Sequence, residues 1–117
     1  MRAVDIIINE IENQGITQQK AADMAGFTRQ RLWDVLDKRN PRFQTMQKIM
    51  GAFGFRICLI DQESGLLRSR EETDGFVKVC EEENIPYDSV VRILETVGIV
   101  VDLEKMEEGL PPPDISK

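Results

Sequence analysis

A chain of 117 residues, 31% of them charged and with a net charge of −6, is one ordinary domain or a compact headpiece with a small second module, and is too short for a large enzyme. No apolar run approaches the roughly 20 residues that cross a bilayer, and the opening MRAVDIIINE mixes acid and polar groups too closely with its apolar run for a secretory signal, so a soluble, cytoplasmic protein is expected. Two cysteines, Cys58 and Cys80, without any histidine argue against zinc and disulfides, so reduced buried thiols, no metal and no cofactor are expected.

Residues 3–13 read as a first helix, because Val4, Ile7, Ile8 and Ile11 recur at helical spacing and Gly15 follows. From Ile16 to Arg39 the pattern is a helix-turn-helix. Thr17 can cap a helix lined by Ala21, Ala22 and Ala25, and Gly26 ends it with small Ala22 letting the next helix approach. Thr28 then caps a second helix whose Leu32, Val35 and Leu36 face inward, leaving Arg29, Gln30, Asp34 and Asp37 outside. Trp33 falls about 100 degrees from the buried stripe, which suggests a half-covered ring, against the fourth helix or against a sugar. A basic loop, residues 38–42, leads to a fourth helix over 43–53 with Phe43, Met46, Ile49, Met50 and Phe53 on one face, stopped by Gly54.

The segment FRICLI, Phe55 to Ile60, has the composition of a strand that needs covering on both sides. DQESG is a turn. A helix capped by Asp74 and carrying Phe76, Val77, Val79 and Cys80, a second helix over 88–97, and a strand over Ile99 to Leu103 complete the ordered chain. Residues 73–104 echo 29–60 at an offset of about 44 residues, helix, glycine and strand in turn, though without a basic outer face. The division expected is therefore 1–61, then a connection at 62–70, an acidic helix-helix-strand module at 71–104, and a flexible tail at 105–117. Acids dominate from Asp61 onward, with the run Glu81 to Glu83; such a surface repels phosphate and should face away from nucleic acid. On this division, a chain lacking the acidic half should keep its headpiece contacts.

Gln18, the Ala22-to-Gly26 spacing, Leu32 and Val35 after that glycine, and then PRFQTMQKIMGAFGF make residues 3–56 resemble the Xre/Cro family of phage and bacterial repressors. The resemblance implies a mainly α, lambda-repressor-like bundle of four helices followed by a strand, with a small α+β segment of two helices and a strand behind it. It also implies sequence-specific binding of double-stranded DNA as a transcriptional repressor. Arg29, Gln30 and Asp34 then stand where the family touches base edges, and Gln18, Thr28, Arg31, Lys38, Asn40 and Arg42 where it contacts the sugar-phosphate backbone. Asp34 departs from the pattern and needs a partner such as Arg31 or Lys38 at helical spacing; Leu36 stands where many relatives carry an acid.

The added strand is similar to that of antitoxins, so an antitoxin role with a toxin as protein partner for the acidic half comes with the resemblance. A palindromic operator requires a homodimer, with Phe55, Ile57 and Leu59 as the expected interface; the strand pairs either with Ile99 to Leu103 within the chain or with its mate in the second subunit, the arrangement that DNA binding favours. The alternative is a protein-interaction module acting through the acidic half, with the helix-turn-helix as scaffold. Without histidine, paired carboxylates or a glycine-rich phosphate loop, no catalytic constellation is expected.

Overall fold

The computed structural model describes residues 2–106. Its elements run α1 (Ala3–Gln14), α2 (Gln18–Ala25), α3 (Arg29–Lys38), α4 (Phe43–Ala52), β1 (Phe55–Asp61), α5 (Arg70–Glu83), α6 (Tyr87–Glu95) and β2 (Ile99–Lys105). The chain is thus mainly helical, with one small antiparallel sheet of β1 and β2. Among the described residues no helix is long and apolar enough to cross a membrane. Of the tail expected at 105–117, Lys105 belongs to β2, and residues 107–117 lie outside the described residues.

Short polar side chains start α2, α3 and α5. The Thr17 hydroxyl accepts the Lys20 N–H at 3.1 Å, and the Thr28 hydroxyl accepts the Arg31 N–H at 3.1 Å. Each satisfies one of the backbone donors that a helix N-terminus leaves over. Gly26 ends α2 at φ +76°, and a Cβ built there meets nothing within 4 Å. Glycine is therefore required by the left-handed backbone and not by close approach of α3. The cap of α5 is Ser69, not Asp74: its hydroxyl accepts the Glu72 N–H at 3.1 Å while the Glu72 carboxylate accepts the Ser69 N–H at 3.4 Å. The reciprocal box satisfies two donors where Asp74, inside the helix, satisfies none; Asp74 instead accepts from Arg70 at 3.0 Å.

The apolar stripes converge on one core. Ile7 and Ile11 of α1, Ala21, Ala22 and Ala25 of α2, Leu32 of α3 and Phe43, Met46, Ile49 and Met50 of α4 pack in the same cluster as Cys80, Tyr87 and Val90 from the second half. The connection at 62–70 is a break in the chain's apolar pattern and not in its packing. Residues on either side of it share a core and a sheet.

β1 pairs antiparallel with β2 of the same chain, Ile57 opposite Leu103 and Leu59 opposite Val101. This replaces the expected pairing between subunits. Ile57 and Leu59 are 3% and 5% exposed inside the monomer, and Phe55 packs against the same core, so the three residues expected at a dimer interface are occupied within one chain. The outer edge of β1 is taken at its C-terminal end, where the Asp61 N–H donates to Leu66 O at 2.9 Å and the Arg68 N–H to Leu59 O at 2.8 Å.

The helix-strand units α4–β1 and α6–β2 face each other across an approximate two-fold axis. Phe43 stacks on Tyr87 with ring centroids 6.0 Å apart, Arg42 bridges to Pro86, and Cys58 lies opposite Asp102, each pair 44 residues apart. The backbone repeats the relation: the Phe43 N–H donates to Ile85 O at 2.8 Å and the Tyr87 N–H to Pro41 O at 2.9 Å. The offset visible in the sequence is therefore a spatial relation, and the second unit supplies within the chain the partner strand that β1 requires.

α6 also caps α1. Arg2, at the N-cap of α1, makes no side-chain cap bond, and the Ala3 N–H donates instead to Asp88 Oδ1 at 2.9 Å, while Asp88 Oδ2 lies 3.8 Å from Arg2 Nε. Replacing Asp88 by alanine is expected to lower folding stability by about 1–2 kcal/mol, the cost of an N-cap. A urea midpoint unchanged by Asp88→Ala would show that the contact carries no stability.

Burial raises the Tyr87 phenol, helped by nearby Asp88 and Asp102. Burial also raises the Cys58 and Cys80 thiols above their ordinary 9.0, with Glu104 and Asp102 adding to the effect at Cys58 and Glu81 at Cys80. All three are neutral when protonated, so the folded chain holds these protons more tightly than the unfolded chain does. Their contribution is complete below the unfolded pKa values and is lost as pH rises through the folded ones. The urea midpoint should accordingly fall from about pH 9 upward, where the unfolded thiols and phenol begin to ionise, and Tyr87→Phe should make that fall shallower; a flat profile to pH 10.5 would contradict this linkage.

Candidate nucleic-acid interface

α3 is held at its start by Thr28 and at its base by Leu32, 1% exposed, so its N-terminal residues stand out from the surface at a set angle. Val35 and Leu36 pack partly against the core. Arg29 and Gln30 are exposed and, with Trp33, line an open groove of about 580 Å³. Trp33 is 51% exposed, the half-covered position expected for it. Four residues after Arg29, it shares that residue's face of the helix. The Asp34 carboxylate accepts from Gln30 Nε2 at 3.0 Å, so its partner is the amide one turn earlier and not Arg31 or Lys38. Both ends of that hydrogen bond belong to groups expected to read bases, and in the free chain they occupy each other.

Beside α3, Arg31, Lys38, Asn40 and Arg42 line one groove of about 310 Å³ together with Asp34 and Thr45. The fold thus brings together four of the six residues expected on the sugar-phosphate backbone. Thr28 is exposed at the start of α3 with its hydroxyl committed to the cap, and Gln18 is exposed at the first position of α2, outside this groove. Arg42, the N-cap of α4, donates to Asn84 O at 3.3 Å. Arg39 ends α3 in a left-handed conformation, φ +58°, and pairs with Asp5 at 3.5 Å.

Phe27 was not among the expected site residues. It is buried in the connection between α2 and α3, and the Arg31 guanidinium lies over its ring, 4.4 Å from the centroid, with Lys48 Nζ at 5.8 Å. An aromatic face attracts a cation by about 0.5–1 kcal/mol at an exposed site, which orients Arg31 without neutralising it. The position of an aromatic immediately before a helix cap, four residues from an arginine, was the available signal.

The arginines divide by pairing. Arg2, Arg39, Arg56, Arg68 and Arg70 each contact a carboxylate. Arg29, Arg31, Arg42 and Arg92 make no ion pair among the described residues, and the first three cluster around α3. Among the described residues no group of acidic, cysteine and histidine side chains could hold a metal ion. Comparison of the chain with protein-family models, with curated proteins and with solved structures finds no match.

Proposed function

We propose that this protein is a sequence-specific DNA-binding repressor of the Xre/Cro type, with α2 and α3 as its helix-turn-helix and α1–α4 in a lambda-repressor-like arrangement. The observation that carries this reading is the set of unpaired arginines around one exposed, well-anchored helix. Five other arginines contact neighbouring carboxylates; these three are left for an external anion. Arg29 reads guanine through two parallel hydrogen bonds, Gln30 reads adenine once released from Asp34, and Asp34 accepts from a cytosine amino group. Trp33 adds apolar contact on the same face. Arg31, Lys38, Asn40 and Arg42, flanked by Gln18 and Thr28, hold phosphates and set the register of the helix on the duplex.

A palindromic operator still calls for two copies about 34 Å apart, and because β1 pairs with β2 and buries Ile57 and Leu59 within the chain, the second copy joins through another surface. An antitoxin role in the cytoplasm, with a toxin as partner, is compatible with this reading. A second reading, an interaction module for a protein partner, draws on a specific observation: Leu66, Leu67, Val79, Ile93 and Val97 are all exposed, and all lie in the acidic half. No catalytic role is proposed.

The test is a titration of duplex DNA with the intact chain over a range of salt. Affinity should fall linearly with log salt, and Arg42→Ala should weaken binding to every sequence alike while flattening the slope by about 0.9, the value for one phosphate contact. No binding at low salt would overturn the repressor reading and leave the interaction module.

A further inference from the structure

The fourth unpaired arginine, Arg92, lies on α6 in the acidic half, which the charge distribution alone places away from DNA. Its surroundings say otherwise. Arg92 lines a groove of about 440 Å³ with Arg2, Lys38, Arg39 and Asn40 from the first half. Lys38 and Asn40 line the phosphate-facing groove beside α3 as well, so the two grooves adjoin across the loop that follows α3.

The approximate two-fold axis provides an internal comparison. Asp88, Val91 and Arg92 correspond, 44 residues on, to Gln44, Gln47 and Lys48 of α4, which line a groove with Glu81 of α5. There the polar side chains of α4 are bonded to α5: Gln44 Nε2 donates to Glu81 O, and Gln47 Nε2 donates to Glu81 Oε2 at 3.1 Å. On the Arg92 side no hydrogen bond or ion pair links the Arg92 side chain to α3. Asp88 Oδ1 accepts the Ala3 N–H and Asp88 Oδ2 is buried without a hydrogen bond, 3.8 Å from Arg2 Nε, which leaves Glu95 as the exposed acid of this groove. Lys38 and Arg92 are both exposed on this groove and neither makes an ion pair among the described residues, so an anion entering it is attracted by both.

We propose that this groove is a phosphate-binding site for duplex DNA, in which Arg92 and Lys38 take a backbone phosphate adjacent to those held by Arg31 and Arg42. The inference rests on the DNA-binding reading and extends it to a residue of the second half. One function of α6 is then to lengthen the contact along the backbone, adding affinity without adding sequence choice.

The intact chain and three variants, Arg92→Ala, Arg92→Lys and Lys78→Ala, should be titrated with a nonspecific duplex across a range of salt. Arg92→Ala should flatten the log-log slope by about 0.9 and weaken binding about eightfold at 0.1 M salt, as loss of one phosphate contact requires. Arg92→Lys should restore the slope. Lys78→Ala removes one exposed cation from α5 and should leave the slope unchanged, which separates a local contact from an effect of net charge. Equal slopes for the intact chain and Arg92→Ala, or equal flattening by Lys78→Ala, would overturn the proposal. If Arg42→Ala flattens the slope and Arg92→Ala does not, this site is wrong and the DNA-binding reading stands; if no form binds duplex, both fall.

Discussion

Cutting the chain after Asp61 is expected to leave an unfolded fragment and not a working headpiece. Tyr87, 2% exposed, stacks on Phe43 at the centre of the molecule, and Val90 and Cys80 fill the same core. Without α6 and β2, Phe43, Ile57 and Leu59 lose their cover, each worth about 1.5–3 kcal/mol of burial, and α1 loses the Asp88 cap. Against a total stability of about 5–15 kcal/mol for an ordinary domain, those losses are decisive. The single substitution Tyr87→Ala isolates the largest part and should cost about 3–5 kcal/mol through lost transfer energy and the cavity left behind. Circular dichroism of residues 1–61 should show little helix and no cooperative melt. A fragment that melts cooperatively, together with a Tyr87→Ala chain as stable as the parent, would mean that the shared core is not what holds α1–α4.

Arg29→Ala should produce the largest functional loss of any single exposed substitution. A bidentate arginine–guanine contact discriminates against the wrong base by about 1–3 kcal/mol, so affinity for the preferred operator should drop roughly 5- to 150-fold while affinity for nonspecific duplex changes far less. Arg42→Ala should do the reverse, weakening both by a similar factor. The ratio of operator to nonspecific affinity separates the two outcomes. Equal losses on both kinds of duplex for Arg29→Ala would place Arg29 on the backbone and move base reading elsewhere along α3. Gln30 makes a finer test, because its amide must leave Asp34 before it can pair with adenine.

Much of this architecture was legible from residue types and spacing. Thr17 and Thr28 before apolar-periodic runs, Gly15 and Gly26 after them, and the stripe from Phe43 to Met50 mark α1–α4, because capping and amphipathicity are local properties. Ser69 followed by Glu72 was equally local evidence of a helix start, but the more acidic Asp74 drew attention from it. What covers β1 was not legible. A strand apolar on both faces states that it needs neighbours, and only the three-dimensional arrangement decides between β2 of the same chain and a second copy. The 44-residue offset held that answer in outline, since two similar helix-strand units in one chain can pair with each other.

The candidate site was legible in part for the same reason. The inward stripe of Leu32, Val35 and Leu36 leaves Arg29 and Gln30 outside, and the loop 38–42 supplies Lys38 and Arg42 to one groove. The angular position of Trp33, about 100 degrees from the Leu32 stripe, implies a half-covered ring, and the ring is 51% exposed. Asp34 had cations at helical spacing on either side, and its partner is the neutral amide of Gln30. Arg92 could not be foreseen, because it belongs to an acidic stretch and reaches the α3 loop only through the packing of α6.

Selection of the intact chain against a library of randomised duplexes tests sequence-specific recognition most directly. Enrichment of a defined sequence, with one guanine position that becomes degenerate when Arg29→Ala is selected in the same way, is the predicted result. Recovery of duplexes with no shared sequence, from both the parent chain and Arg29→Ala, would contradict it.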